Sequence, residues 1–155
     1  MTTGDDVQLV TFRVGRQEFA FEILQVERIL RYSAPSPLPT APGFLEGVLP
    51  YGEGSVPVID LRKRFELEAL IREETRLMIL ELDGQRVGLL VDEVLEVIRV
   101  DSTSINAPSP IVSGLAAVYI SGIVTREGRT LIVLNARKLL SSGERLALSE
   151  LGAAS

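Results

Sequence analysis

The chain has 155 residues, 46% of them hydrophobic and 24% charged, and a net charge of −5, which suits a globular protein of one ordinary domain or two very small ones. It contains neither cysteine nor histidine, which excludes disulfides, thiolate chemistry, a histidine phosphoacceptor, His-centred triads and the usual zinc sites. With no basic run longer than residues 62–64 and no apolar run near the roughly 20 residues that cross a bilayer, we expect a cytoplasmic protein with no nucleic-acid partner and no direct membrane insertion.

Residues 1–6 have neither the basic start nor the apolar middle of a secretion signal and are expected to be loose. Val10, Phe12 and Val14 alternate with polar residues, Gly15-Arg16 marks a turn, and Phe19 and Phe21 resume, which predicts a hairpin. ILQVERIL (residues 23–30) has helical spacing, but its β-branched counterpart at 94–100, VLEVIRV, favours a bent strand after one helical turn. The stretch YSAPSPLPTAPG (32–43) is too proline-rich for a helix or a central strand and is expected to cross the surface. In GVLPYGEG (47–54), Pro50, Gly52 and Gly54 surround Tyr51 and Glu53, and SVPVI then reads as a buried strand. Asp60 precedes LRKRF as a helix N-cap. A second hairpin is predicted from Met78–Leu82, Asp83-Gly84 and Val87–Val91. A second connection follows at 105–114, INAPSPIVSG, then a strand, a short helix at ARKLL after Asn135, and a terminal helical segment over 141–155.

The chain repeats itself. Residues 9–30 align with 77–98 at an offset of 68, APSP at Ala34–Pro37 recurs at Ala107–Pro110, and the block from Gly47 resembles the block from Gly122. A duplicated unit changes how each residue in it is read. Asp60 falls opposite Asn135, and a catalytic carboxylate would not tolerate that amide, so capping is preferred to chemistry. Asp92, Glu93 and Glu96 are read as a solvated face and not as paired carboxylates for acid/base work. Two units of about five short strands each predict two small barrels or curled sheets that share buried surface. The expected boundaries are one domain over 7–140, with subdomains of about 7–72 and 73–140, and a tail from 141.

Taken together, VTFRVGRQEFAFEILQVERIL, P-x-x-P-T-A-P-G-F-L-E-G-V, VPVIDLRKRF, GQRVGLLVDEVLEV and YISGIV…LIVLNARKLL resemble the CheW-like family of chemotaxis coupling proteins. The likeness covers about Val7 to Leu140. It implies an all-β fold with short helices, in which two intertwined five-stranded SH3-like β-barrels surround a shared core. It also implies a non-enzymatic adaptor without a cofactor. Its partners would be the regulatory domain of a CheA-type histidine kinase and the cytoplasmic helical tip of a chemoreceptor, with another CheW-like protein as an alternative partner, at chemoreceptor clusters. The groove that takes the receptor helix would draw on Val26, Ile29, Leu77, Val91 and Val94. Core packing is the competing reading of each.

Two stretches depart from the family pattern. Where the family reads V-Q-E-I-R-G-Y, this chain matches at Val26, Ile29 and Tyr32. Arg28 replaces an acidic side chain, Leu30 a basic one and Arg31 a glycine, so this contact surface reverses charge. Where the family reads N-L-R-G, this chain has Pro50, Tyr51, Gly52 and Glu53, so the guanidinium fork is gone from the loop, and Gly54 is expected to restore the turn. A drifted hairpin that binds nothing is the competing reading of that loop. Three functions stay open: a full receptor–kinase adaptor, an accessory adaptor that has lost ordinary kinase docking, and, more distantly, a carboxylate-based hydrolase on a small barrel.

Overall fold

A computed structural model describes residues 6–39, 43–82, 84–107, 119–140 and 144. The first predicted hairpin is β1 (Asp6–Val14) and β2 (Gln17–Glu22), turning at Gly15 with φ 63°. A single 3-10 turn at Ile23–Gln25 leads into β3 (Val26–Arg31), as the bent-strand reading expected. Next come β4 (Leu45–Tyr51), β5 (Gly54–Asp60) and the one-turn helix α1 (Leu61–Arg64). The second hairpin is β6 (Arg76–Leu82) and β7 (Gln85–Val91), followed by β8 (Glu93–Asp101), β9 (Ile120–Arg126) and β10 (Arg129–Leu134). A 3-10 turn at Ala136–Lys138 stands where α1 stands in the first repeat.

The strands form two five-stranded sheets in the orders β8-β1-β2-β10-β9 and β3-β6-β7-β5-β4. Each sheet takes strands from both repeats, because the repeats exchange their hairpins. The β1–β2 hairpin lies between β8 and β10, and the β6–β7 hairpin lies between β3 and β5. The exchange is sealed by one parallel pairing in each sheet, Phe19 opposite Ile132 and Ile59 opposite Leu89. These are the intertwined SH3-like barrels that the family resemblance implies. Exchange also answers the size problem, since a unit of under ~80 residues without staples has little core of its own.

Each barrel has a small interior, built around Leu9, Val124 and Val133 in the first and Val58, Leu77 and Ile79 in the second. A larger core between them joins Phe12, Phe19, Phe21, Met78, Leu80, Leu89, Val91 and Leu134. Phe12 stacks on Phe21 at 5.1 Å between ring centroids, and Phe19 meets Phe65 at 5.2 Å, so the first repeat supplies most of its aromatic volume.

Two sequence expectations change in detail. The β4–β5 turn is made by Gly52 itself, at φ 59°, while Gly54 is the first residue of β5 and pairs with Tyr51. A two-residue hairpin loop needs its positive φ inside the loop, which is where Gly52 lies. The two proline-rich connections do serve equivalent places. Ser36 bridges Val48 on β4, and Asn106 bridges Ile123 on β9. The equivalent of Ser36 is therefore Asn106, three residues before the serine of the second APSP, and the APSP echo is out of register. The bridges explain the repeated glycine: a Cβ on Gly47 would lie 2.4 Å from the Ser36 carbonyl oxygen, and one on Gly122 2.3 Å from Ile105 Cγ2. The terminal helical segment expected over 141–155 lies outside the described residues except for Glu144, whose carboxylate takes both terminal nitrogens of Arg64 at 3.1 and 2.9 Å.

Candidate functional site

The edge strand β3 is built on a bulge. Its register against β6 shifts between Val26 and Arg28, so the faces on either side of Glu27 are exchanged. Val26 packs on the shared core, while Leu30, with Tyr32 beyond the strand, packs on the second barrel's interior. The alternating residues Ile29 and Arg31 turn to the opposite face and are exposed, as is Arg28 at the bulge. β8 repeats the device. Its register against β1 shifts between Val10 and Phe12, so that Val94 packs on the shared core and Ile98 on the first barrel's interior. Val97, the repeat partner of Ile29, is left 52% exposed. Leu24, in the 3-10 turn before β3, is 97% exposed, and Leu95 is exposed beside Val97.

Among the residues expected to line a groove, Val26, Ile29 and Val94 therefore reach the surface or its rim. Leu77 and Val91 are fully buried and support the barrels from within; they have no surface to offer a partner. Sequence reasoning missed Leu24, Leu95 and Val97. The 68-residue repeat offset was the signal that leads from Ile29 to Val97.

At the hairpin tip Pro50, Gly52 and Glu53 are exposed, while Tyr51 is half-buried against the second barrel. The Tyr51 hydroxyl donates to Glu27 Oε2 at 2.6 Å, and Arg86 Nε on β7 donates to the same carboxylate at 2.8 Å. The Arg86 guanidinium lies 6.0 Å from the centroid of the Tyr51 ring. Donation from Tyr51, then from Arg86, lowers the Glu27 pKa from its ordinary value, and the bond to Glu27 raises that of the Tyr51 phenol. A guanidinium thus stands beside this hairpin although the loop carries none. Glu27 and Arg86 lie 59 residues apart, and no local motif announces their meeting.

Of the four carboxylates weighed for chemistry, Asp60, Asp92 and Glu93 are committed elsewhere, and Glu96 is exposed with no ion pair among the described residues. Asp60 caps α1 by accepting from Arg62 N, and Asn135 caps its own turn by accepting from Arg137 N. Asp60 also takes Arg62 Nε at 2.9 Å and Nη2 at 3.0 Å. Asp92, read from sequence as part of a solvated face, instead accepts from Arg62 Nη1 at 3.1 Å and from Gly15 N at 2.7 Å. The Arg62 side chain is 0% exposed, and the two carboxylates keep its charge in place against the penalty of burial. Glu93 pairs with Arg13 at 3.3 Å. Among the described residues no group of three or more Asp or Glu side chains is placed to hold a metal ion.

Two interlocked barrels with bulged edge strands, exposed apolar side chains and Asp60, Asp92 and Glu93 held in ion pairs define a scaffold domain for protein–protein contact. The family model for the CheW-like domain matches residues 8–144. Chemotaxis protein CheW of Treponema pallidum is 32% identical over 97% of this chain and 92% of its own. Chemotaxis protein CheW of Bacillus subtilis is 34% identical over 89% and 88% respectively, and Protein FrzA of Myxococcus xanthus is 30% identical over 89% and 88%. The crystal structure of scaffolding protein TtCheW from Thermoanaerobacter tengcongensis superposes with a TM-score of 0.81 at 28% identity, over 90% of this chain and 91% of that one. The chain belongs to the CheW-like family. No helix among the described residues is long and apolar enough to cross a membrane.

Proposed function

We propose that the chain is a cytoplasmic chemosensory adaptor that joins the helical tip of a chemoreceptor to the regulatory domain of a CheA-type histidine kinase in receptor clusters. The observation that carries this reading is the pair of bulged edge strands. Ile29 on β3 and Val97 on β8, with Leu24 and Leu95 beside them, expose apolar side chains next to the seam where Val26 and Val94 meet the shared core. Such a surface suits an amphipathic helix whose apolar residues recur every three or four positions. The protein is read as a non-enzymatic scaffold, since Asp60, read from the sequence as a helix cap in preference to a catalytic carboxylate, is buried and spent on Arg62.

A second reading is an accessory adaptor that holds the receptor, or another CheW-like protein, without ordinary kinase docking. It is favoured by the hairpin tip, where Gly52 and Glu53 carry no cation and the guanidinium over the Tyr51 ring, that of Arg86, is bound to Glu27. The deciding experiment measures affinity for a receptor-tip fragment and, separately, for the kinase regulatory domain from the same organism. Binding to both supports the first reading, and binding to the receptor alone supports the second. Binding to neither overturns both.

A further inference from the structure

The segment between α1 and β6, ELEALIREE at residues 66–74, has no helix or strand although its residues favour a helix. Neither glycine nor proline occurs from residue 58 to 83, yet α1 stops after four residues because Glu66 adopts φ 60°, a left-handed conformation that a non-glycine residue seldom takes. The segment is held at both ends. Leu67 N donates to Arg62 O at 2.8 Å, and Arg72 N donates to the hydroxyl of buried Thr75 at 2.8 Å. In the middle the buried Arg62 guanidinium takes the Leu70 carbonyl oxygen at 2.5 Å.

That grip holds the Leu70 carbonyl inward, while Leu67 lies against the β1–β2 turn, where a Cβ on Gly15 would come within 3.0 Å of its Cδ1. Leu67, Leu70 and Ile71 are between 42% and 50% exposed. Around them Glu66, Glu68, Glu73 and Glu74 are exposed, and no ion pair among the described residues occupies their carboxylates. An apolar cluster fixed outward by a buried cation is a poor use of leucine unless something covers it. Four carboxylates outnumber the cations here, Arg72 within the segment and Arg76, whose guanidinium donates to the Glu73 carbonyl oxygen at 2.8 Å, and this acidic excess favours a cationic cover over an anionic lipid surface or a second copy of this acidic chain.

We propose that residues 66–74 form a docking surface for a basic amphipathic segment of a partner protein, with Leu67, Leu70 and Ile71 as its apolar floor and the four glutamates as its rim. The surface is distinct from the β4–β5 hairpin tip. It follows the opposite end of β5, and the six residue steps from Gly54 to Asp60 span about 20 Å.

The test titrates the isotope-labelled full chain with a synthetic 14-residue amphipathic helix of leucine and lysine, with a leucine–glutamate helix as control. Amide shifts confined to residues 66–74 and the adjoining β1–β2 turn are expected. Leu70→Asp with Ile71→Asp, and the milder Leu70→Ser with Ile71→Ser, should weaken binding at least tenfold while the circular dichroism spectrum stays unchanged. Glu→Gln at 66, 68, 73 and 74 should remove the salt dependence. Shifts mapping elsewhere, an affinity indifferent to the leucine changes, or equal binding of the leucine–glutamate helix overturns the proposal. So does sedimentation showing a dimer that the Leu70 variants dissolve, since the cover would then be a second copy.

Discussion

Arg62 stands between two carboxylates that belong to different parts of the fold, with Nε 2.9 Å from Asp60 Oδ1 at the exit of β5 and Nη1 3.1 Å from Asp92 Oδ1 at the passage from β7 to β8. Asp92 in turn takes the main-chain N–H of Gly15 in the other sheet. One buried cation therefore ties the second barrel to the turn of β1–β2. Removing one member of a buried ion pair is destabilising because its partner is left desolvated and uncompensated, by about 3–5 kcal/mol. Arg62→Met should cost that much by chemical denaturation, and Asp92→Asn less, because Asp60 still neutralises the cation. A loss below about 1 kcal/mol for Arg62→Met would show that the clasp adds little.

The two caps of the repeat predict an asymmetry. Asp60 and Asn135 both accept the N–H two residues on, but only Asp60 faces a buried guanidinium. Asn135→Asp should leave stability within about 0.5 kcal/mol, whereas Asp60→Asn, which keeps the cap and loses the charge, should cost about 2 kcal/mol or more. Equal effects of the two exchanges in paired denaturation curves would mean that capping alone sets the value of Asp60.

Gly47 and Gly122 should respond differently to alanine. The Gly47 Cβ would strike main-chain atoms of Ser36 and Pro37, which cannot withdraw without breaking the bridge to Val48. At Gly122 the nearest obstacle is the Ile105 side chain. We expect Gly47→Ala to cost about 2–3 kcal/mol with no rescue, as overpacking does. Ile105→Ala should restore part of the stability lost in Gly122→Ala. Melting temperatures of the two single variants and the double variant decide it.

The contact of Tyr51 with Glu27 sets a pH window. Glu27 is shifted down, so its part of the contact is complete above the ordinary glutamate value and fades as pH falls through the lowered one. Tyr51 is shifted up, so its part is complete below the ordinary phenol value and fades as pH rises through the raised one. The contact is whole between about pH 4.3 and pH 10. The Tyr51 ring resonances should titrate later than those of free tyrosine, and Glu27→Gln should move them back. A Tyr51 titration indifferent to that change would remove the bond from the account.

The face proposed for the receptor should lose binding without losing the fold. Ile29→Asp and Val97→Asp each place a carboxylate on an exposed apolar position and should weaken a receptor-tip fragment at least tenfold, with stability altered by about 0.5 kcal/mol or less. Undiminished receptor binding would move the contact off these strands. At the hairpin, Gly52→Arg with Glu53→Gly moves the turn glycine by one place and returns a cation to the loop. Kinase affinity should rise if the missing charge is what weakens docking, and an unchanged affinity would exclude that cause.

Much of the architecture was legible because it rests on local rules. Alternation gave the hairpins at 10–21 and 78–91, and Asp60 and Asn135 marked the starts of the helical turns that they cap. The repeat gave the count of strands. What stayed hidden depends on partners distant in the chain. Asp92 looks like one of three surface acids until Arg62, thirty residues away, is brought under it. Glu27 and Arg86 meet only because β3 and β7 share a sheet. The candidate surface was legible in the same measure: Ile29 could be named from its strand, whereas Leu77 and Val91 are buried because β6 and β7 are inner strands, covered by a barrel interior on one face and by the shared core on the other. Composition does not encode which strands lie inside.

The exchanged hairpins set a condition on how this protein is made. β1 and β2 leave the ribosome early, but their sheet needs β8, which ends at Asp101, and β10, which ends at Leu134. At about 5–20 residues per second the aromatic side of the first hairpin waits for roughly 6–22 seconds before its neighbours are synthesised. No stretch of the chain that stops short of β10 completes both sheets, so the fold closes only once β10 has been made. A nascent chain stalled midway presents Phe12, Phe19 and Phe21 to whatever chaperone or aggregate is nearest.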